Sequence, residues 1–114
     1  MDSKDGEIIK ELRHYCVVRE GLSAEKKMVM FGHAAGESAV LGIPPGKDTV
    51  FIALQANEVQ LKDLCVELTS HGFEYVEIIE PYEPYIGQLL AVGIEPSPRS
   101  VLRKLLFHFE KATV

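Results

Sequence analysis

Short runs of β-branched and aromatic residues alternate along this chain with longer segments of helical periodicity, and that alternation is what most restricts its fold. His14 to Val18 reads as a first strand, closed by the charged Arg19-Glu20 and by Gly21. Ser23 is a good N-cap and Glu25 suits the positive end of a helix dipole, which predicts a helix from Ala24 to about Leu41. Within it Met28, Phe31, Ala35 and Ala39 recur at helical spacing and are expected to face the core. Gly32 and Gly36, four apart, would let this helix lie close against a sheet or another helix. Pro44-Pro45 end it, and Gly46 permits a left-handed turn before Thr49 to Leu54, a second strand. Asn57 and Gln60 have the spacing of a capping box, ahead of a second helix with Leu61, Leu64, Cys65 and Leu68 on one face and a His71-Gly72 stop. Glu74 to Ile79 and Gln88 to Ile94 read as strands, the latter apolar enough to be central. Ser97-Pro98 then reads as the opening of a last helix whose core face is Val101, Leu102, Leu105, Leu106 and Phe109.

The order β-α-β-α-β-β-α is too interspersed with helices for a sandwich of two sheets. It predicts a single-domain α/β fold, a three-layer α/β/α sandwich around a mixed, mostly parallel four-stranded sheet. Residues 14–114 would form this domain, with residues 1–13 as an N-terminal arm. The connection from Glu80 to Gly87 holds no helix, so the strands it joins either pair antiparallel or cross over by another route.

With 114 residues, 46% of them apolar, the chain is large enough to bury a core without disulfides. Cys16 and Cys65 sit inside apolar patterns with no CxxC or histidine-rich company, which reads as free buried thiols and a reducing compartment. The charged N-terminus lacks a signal-peptide core and no apolar run reaches a membrane span, so a cytoplasmic location is expected. His14, His71 and His108 have no ligand spacing with one another or with the cysteines, and no metal site is expected. The net charge of −5 has the wrong sign for a protein that holds nucleic acid by charge alone, so any RNA contact must be local. Cations gather at Lys26-Lys27 and at Arg99, Arg103 and Lys104; such groups on helices read first as solvated faces.

Four stretches, VVREGLSAEKK, GHAA, the Asn57-led helix ending in HGFEYVEIIE, and LLAVGIEPSPRSVLRKLL, share their order and spacing with one family. Over about Tyr15 to Phe109 the chain resembles the peptidyl-tRNA hydrolase II family. The resemblance implies hydrolysis of the ester between a peptide and tRNA, without metal or organic cofactor, by a homodimer. It also exposes departures. The glycines of the family's lysine-rich turn are replaced by Ser23-Ala24-Glu25, and Met30 stands where the family has a glutamine. The family's aspartate and threonine after the third strand are absent from Ile79-Glu80-Pro81-Tyr82-Glu83-Pro84-Tyr85-Ile86-Gly87-Gln88.

Ester hydrolysis needs an activated water and a partner for the tetrahedral oxyanion. Glu80, or else Glu83, is the carboxylate available to orient water, and Lys26 or Lys27 the cation for the oxyanion or terminal phosphate. His33 is a secondary candidate base whose plainer reading is a histidine donating to a neighbour. Tyr82 and Tyr85 can stack on a terminal adenine or simply cover the sheet edge, and Arg19, Glu83, Gln88, Arg99 and Arg103 complete the candidate substrate-binding set. Three readings stand: an esterase of this type, a catalytically silent relative that binds RNA, nucleotide or a protein partner, and an unrelated α/β binding domain. The first two require Lys26, Lys27 and the Glu80 loop to converge on one concave surface.

Overall fold

A computed structural model describes residues 12–46, 48–98 and 102–112 of the chain. β1 (Leu12–Arg19) leads into α1 (Ala24–Ser38), which starts where the Ser23 hydroxyl accepts the Lys26 N–H at 3.1 Å. β2 (Val50–Ala56) is followed by α2 (Glu58–Ser70). The reciprocal capping box is present there: the Gln60 N–H donates to the Asn57 side chain, and the Asn57 N–H to the Gln60 side chain. β3 (Tyr75–Ile79), β4 (Leu89–Ile94), the two-residue β5 (Ser97–Pro98), a four-residue helix α3 (Arg103–Leu106) and β6 (Glu110–Lys111) complete the described chain.

The fold is α/β with a mixed sheet, but the sheet has six strands rather than four and only β1 with β2 is parallel. Its order is β3-β4-β1-β2-β6, with β5 paired to β1. The expectation of a mostly parallel sheet fails because β4, antiparallel to both neighbours, lies between β3 and β1, so of the three strands that run the same way only β1 and β2 are paired. α1 supplies the crossover between β1 and β2. The loop from β3 to β4 is instead a tight return, with Glu80 N–H bonded to Gln88 O and Gly87 N–H to Glu80 O. The expected long last helix is also corrected. Ser97 and Pro98 pair with Arg13 and Leu12, and the helix shrinks to Arg103–Leu106 before the chain returns to β2 as β6. Leu102, Leu106 and Phe109 still bury themselves in the core as expected; Arg99 and Val101 lie outside the described residues, as do residues 1–11 of the N-terminal arm.

Two helical layers sandwich the sheet. α1 covers one face with Cys16, Val18, Met30, Ala34, Leu90 and Ala91, while α2 and α3 cover the other with Val17, Leu61, Leu64, Leu68, Val92 and Leu106. β4, the predicted central strand, is buried at all six residues. Since β4 is antiparallel to both β1 and β3, strands β1, β2 and β3 run the same way. Their carboxyl ends, the start of β4 and the N-termini of α1 and α2 therefore gather at one end of the sheet.

α1 buries only part of the stripe its apolar spacing suggests: Phe31 and Ala35 pack half-buried against the core on the α1 face of the sheet. Met28 is exposed, and the face turned to the sheet is Lys27, Met30, Ala34 and Ser38. Gly32 and Gly36 are exposed with nothing near a notional Cβ. The close approach is made by Gly93 of β4, where a Cβ would stand 2.3 Å from the Ala34 carbonyl oxygen and 2.7 Å from Ser38 Oγ. Likewise the left-handed residue after α1 is Gly42, at φ 61°, rather than Gly46.

His14 is buried under α1, its Nε2 2.7 Å from Ser38 Oγ. Ser38 spends its one proton on Ala34 O at 2.6 Å, so the imidazole must be the donor between them. Burial lowers its pKa, in keeping with a neutral ring. Cys16 and Cys65 are free and buried, and burial pushes both thiols up to about 12, which leaves them inert as nucleophiles.

Candidate functional site

Polar side chains collect where the carboxyl ends of β1, β2 and β3 meet the first turns of α1 and α2, the end of an open α/β sheet at which ligands ordinarily bind. Lys26, in the first turn of α1, forms an ion pair through Nζ with Glu80 Oε2, just past β3. The carboxylate is 5% exposed and the lysine 33%, so the pair is sheltered on the acid's side and open on the base's. One residue further on, Lys27 turns inward under the helix and reaches Gln55 Oε1 of β2 at 3.3 Å. Neither lysine belongs to a freely solvated face. The two are held at the same end of the sheet for different reasons, one by a carboxylate and one by an amide.

Arg19, the last residue of β1, joins three side chains from α2 and the β3–β4 loop. Its guanidinium donates to Glu58 Oε2 of α2 at 3.0 Å and to the Gln88 side-chain oxygen before β4, and lies 5.3 Å from the Tyr85 ring centroid. An aromatic face under a guanidinium is attractive through the ring quadrupole. Here it fixes the otherwise irregular Glu80–Gln88 loop against β1.

Two recesses flank these groups. One of about 480 Å³ is bordered by Met30, His33 and Glu37 of α1 together with Glu80, Pro81 and Tyr82. His33 thus shares a recess with Glu80 while itself exposed, and Tyr82 is 74% exposed at its rim. The other, of about 520 Å³, is bordered by Arg19, Glu20, Asn57, Glu58 and Gln88. The structure accordingly brings together Lys26, Glu80, His33 and Tyr82 on one side and Arg19, Tyr85 and Gln88 on the other. Glu83 is exposed in the connecting loop. Arg103 is exposed at the start of α3, in the segment that leads to β6 at the sheet edge opposite β3.

Several contributing residues escaped the sequence reading. Glu58 anchors Arg19, Gln55 receives Lys27 and Glu37 walls the Glu80 recess. Gln55 carried a signal, being polar at the end of the apolar run TVFIAL. Glu58 follows the Asn57 cap, where an acid suits the helix dipole, and nothing local points it at Arg19. Among the described residues, no three His, Cys, Asp or Glu side chains gather as a metal ion requires, and no helix is long and apolar enough to cross a membrane.

No protein-family model matches this chain, and no curated protein does. Among solved structures the chain is similar to a protein of unknown function from Agrobacterium tumefaciens, with TM-score 0.71 and 8% sequence identity over 90% of this chain and 98% of that one. At that identity the likeness establishes a shared α/β fold and nothing about chemistry.

Proposed function

We propose that this chain hydrolyses the ester between the peptide and the terminal ribose of peptidyl-tRNA. The reading is carried by one observation: Lys26 and the buried Glu80, residues far apart in the chain, meet as an ion pair beside an open recess at the carboxyl ends of the strands. In this mechanism Glu80 accepts a proton as water adds its oxygen to the ester carbonyl carbon. The Lys26 ammonium stabilises the oxyanion that forms. Collapse of the tetrahedral intermediate breaks the bond to the ribose oxygen, which takes the proton back from Glu80, and free peptide and tRNA leave. Arg19, Tyr85 and Gln88 border the neighbouring side and are suited to the ribose, phosphate and terminal base. His33 is placed to hydrogen-bond the acyl portion.

A second reading has its own support. Arg19 already faces Glu58 and Lys26 already faces Glu80, so these two cations are matched by acids before any phosphate arrives. That balance favours a catalytically silent relative that binds a less charged ligand. Hydrolysis of labelled N-acyl-aminoacyl-tRNA by purified protein separates the two. The esterase reading expects turnover that falls about a hundredfold in Lys26→Ala and in Glu80→Gln, and about tenfold in Lys27→Ala, whose lysine is turned toward Gln55. No turnover at high enzyme concentration rejects it.

A further inference from the structure

Successive side chains of a strand point to opposite faces, so Tyr75, Glu77 and Ile79 of β3 share one face, the one that α2 covers. The register agrees: their partners on β4 are Ile94, Val92 and Leu89, all part of the core on that side. An acid therefore interrupts an otherwise apolar row. Opposite it, the Cys65 thiol of α2 donates to the Glu77 carboxylate, whose charge and hydrogen bond add to burial in raising the thiol pKa.

Between α2 and this row lies a recess of about 620 Å³, walled by Cys65, Val66, Tyr75, Ile79 and Leu89. Tyr75 is fixed as a wall by a 2.7 Å hydrogen bond between its hydroxyl and that of Thr69. Val66 and Ile79 are 67% and 47% exposed, so apolar surface is left to water on both sides of the opening. A recess of this volume, apolar with a few polar groups, is of the size and kind that takes a small organic molecule.

Charge decides which molecule. Lys62 and Glu77 are the two charged residues that line the recess. Lys62 is 64% exposed and already meets Glu58, one turn earlier, at 3.1 Å. Among the described residues no lysine, arginine or histidine forms an ion pair with Glu77, and its partner is a neutral thiol. A thiol is a weak donor, and one such bond leaves most of a carboxylate's accepting capacity unused. An ammonium beside Glu77 supplies stronger, charge-assisted bonds while the walls cover its hydrocarbon. A carboxylic acid in the same place sets like charges together.

We propose that the recess between α2 and β3 binds a small organic cation, an amine on an apolar body, with its ammonium on Glu77 and its hydrocarbon against Val66, Tyr75, Ile79 and Leu89. The site lies on the α2 face of the sheet, opposite the recess beside Lys26 and Glu80, and its occupancy does not depend on the ester hydrolysis proposed above.

The test titrates the full chain with phenylbutylamine, phenylbutanol and phenylbutanoate, three probes with one hydrocarbon body, while backbone amide shifts are followed residue by residue. Saturable shifts at Val66, Tyr75 and Ile79 are expected with the amine, which should bind at least about tenfold tighter than the acid. Glu77→Gln keeps an oxygen for the Cys65 thiol; it should weaken the amine about fivefold and leave the alcohol within about twofold, which shows that fold and recess survive. Lys62→Ala should leave amine binding unchanged. Absence of saturable amine binding at millimolar concentration overturns the proposal and leaves Glu77 as a charge that only guards an edge strand. Equal affinity for the three probes overturns it too, as does a preference for the acid that is lost in Lys62→Ala.

Discussion

α2 turns Leu61, Leu64, Cys65 and Leu68 to its face of the sheet, whereas α1 turns Lys27, Met30, Ala34 and Ser38 to the other. The first is held by apolar area. The second is held by proximity: the absence of a side chain on Gly93 lets the α1 backbone come down on β4, and a buried hydrogen bond from His14 to Ser38 ties it to β1. The difference has a functional consequence. A helix gripping through large apolar side chains has few positions left for chemistry on its inner side. α1, gripping through small residues and polar bonds, can carry Lys26 to Glu80 and Lys27 to Gln55 from its first turn.

The sharpest way to break this contrast is to change volume in opposite senses on the two faces. Gly93→Ala adds a methyl where the nearest neighbour is backbone and cannot swing aside, so α1 must lift; a loss of about 3 kcal/mol or more in chemical denaturation is expected. Leu61→Ala, fully buried on the α2 side, should cost about 3 kcal/mol by leaving a cavity. Only the first should loosen α1, seen as faster exchange of its amides at equal global stability. If Leu61→Ala loosened α1 just as much, the two faces would be one cooperative unit and the contrast would fall.

A smaller effect isolates the polar tie. His14→Gln keeps a side-chain N–H for Ser38 but loses the fit of the ring, which also lies edge-on to Phe51, and should cost about 1 to 2 kcal/mol near neutral pH. Its pH dependence is the better diagnostic. Burial lowers the folded-state pKa of His14, so the unfolded chain binds that proton more readily than the folded one. Wild-type stability must therefore fall as pH drops through the ordinary histidine range, from about 7.5 to about 5.5, and be regained above it. In His14→Gln this part of the slope should vanish. An unchanged slope would show that His14 does not supply it.

The same contrast explains how much of the molecule was legible in its sequence. α2 was readable down to its capping box and its four buried residues, because leucines at helical spacing leave a periodic trace. The strands were readable for a similar reason, and β4 could be placed inside the sheet, between two neighbours, from its unbroken apolar run. The stripe of α1 was not, since small and polar residues leave almost no amphipathic signal and the apolar Met28 points to solvent. Strand direction depended on the return at Glu80 to Gln88, where both routes were open, and on two short strands of two residues each, too brief for periodicity. At the candidate site, Lys26 and Glu80 could be singled out in sequence, but Glu58 and Gln55 are defined only by what the sheet order brings to them.

The finest test of the contrast concerns the two glycines that sequence spacing marks as the contact face of α1. Gly32 and Gly36 are exposed within the helix, with open space where each Cβ would be. Neither needs a left-handed backbone, because positive φ among the described glycines is confined to Gly21, Gly42, Gly72 and Gly87. Alanine at either position meets no neighbour and removes backbone freedom from the unfolded chain, so each substitution should stabilise by about 0.5 to 1 kcal/mol. Both are on the helix that carries Lys26, yet the Lys26–Glu80 pair lies at its start and should be undisturbed. Urea denaturation of Gly32→Ala and Gly36→Ala beside Gly93→Ala then puts a methyl on each side of one contact. Destabilisation by the first two would mean that α1 packs through its glycine face after all, and would move the close approach away from β4.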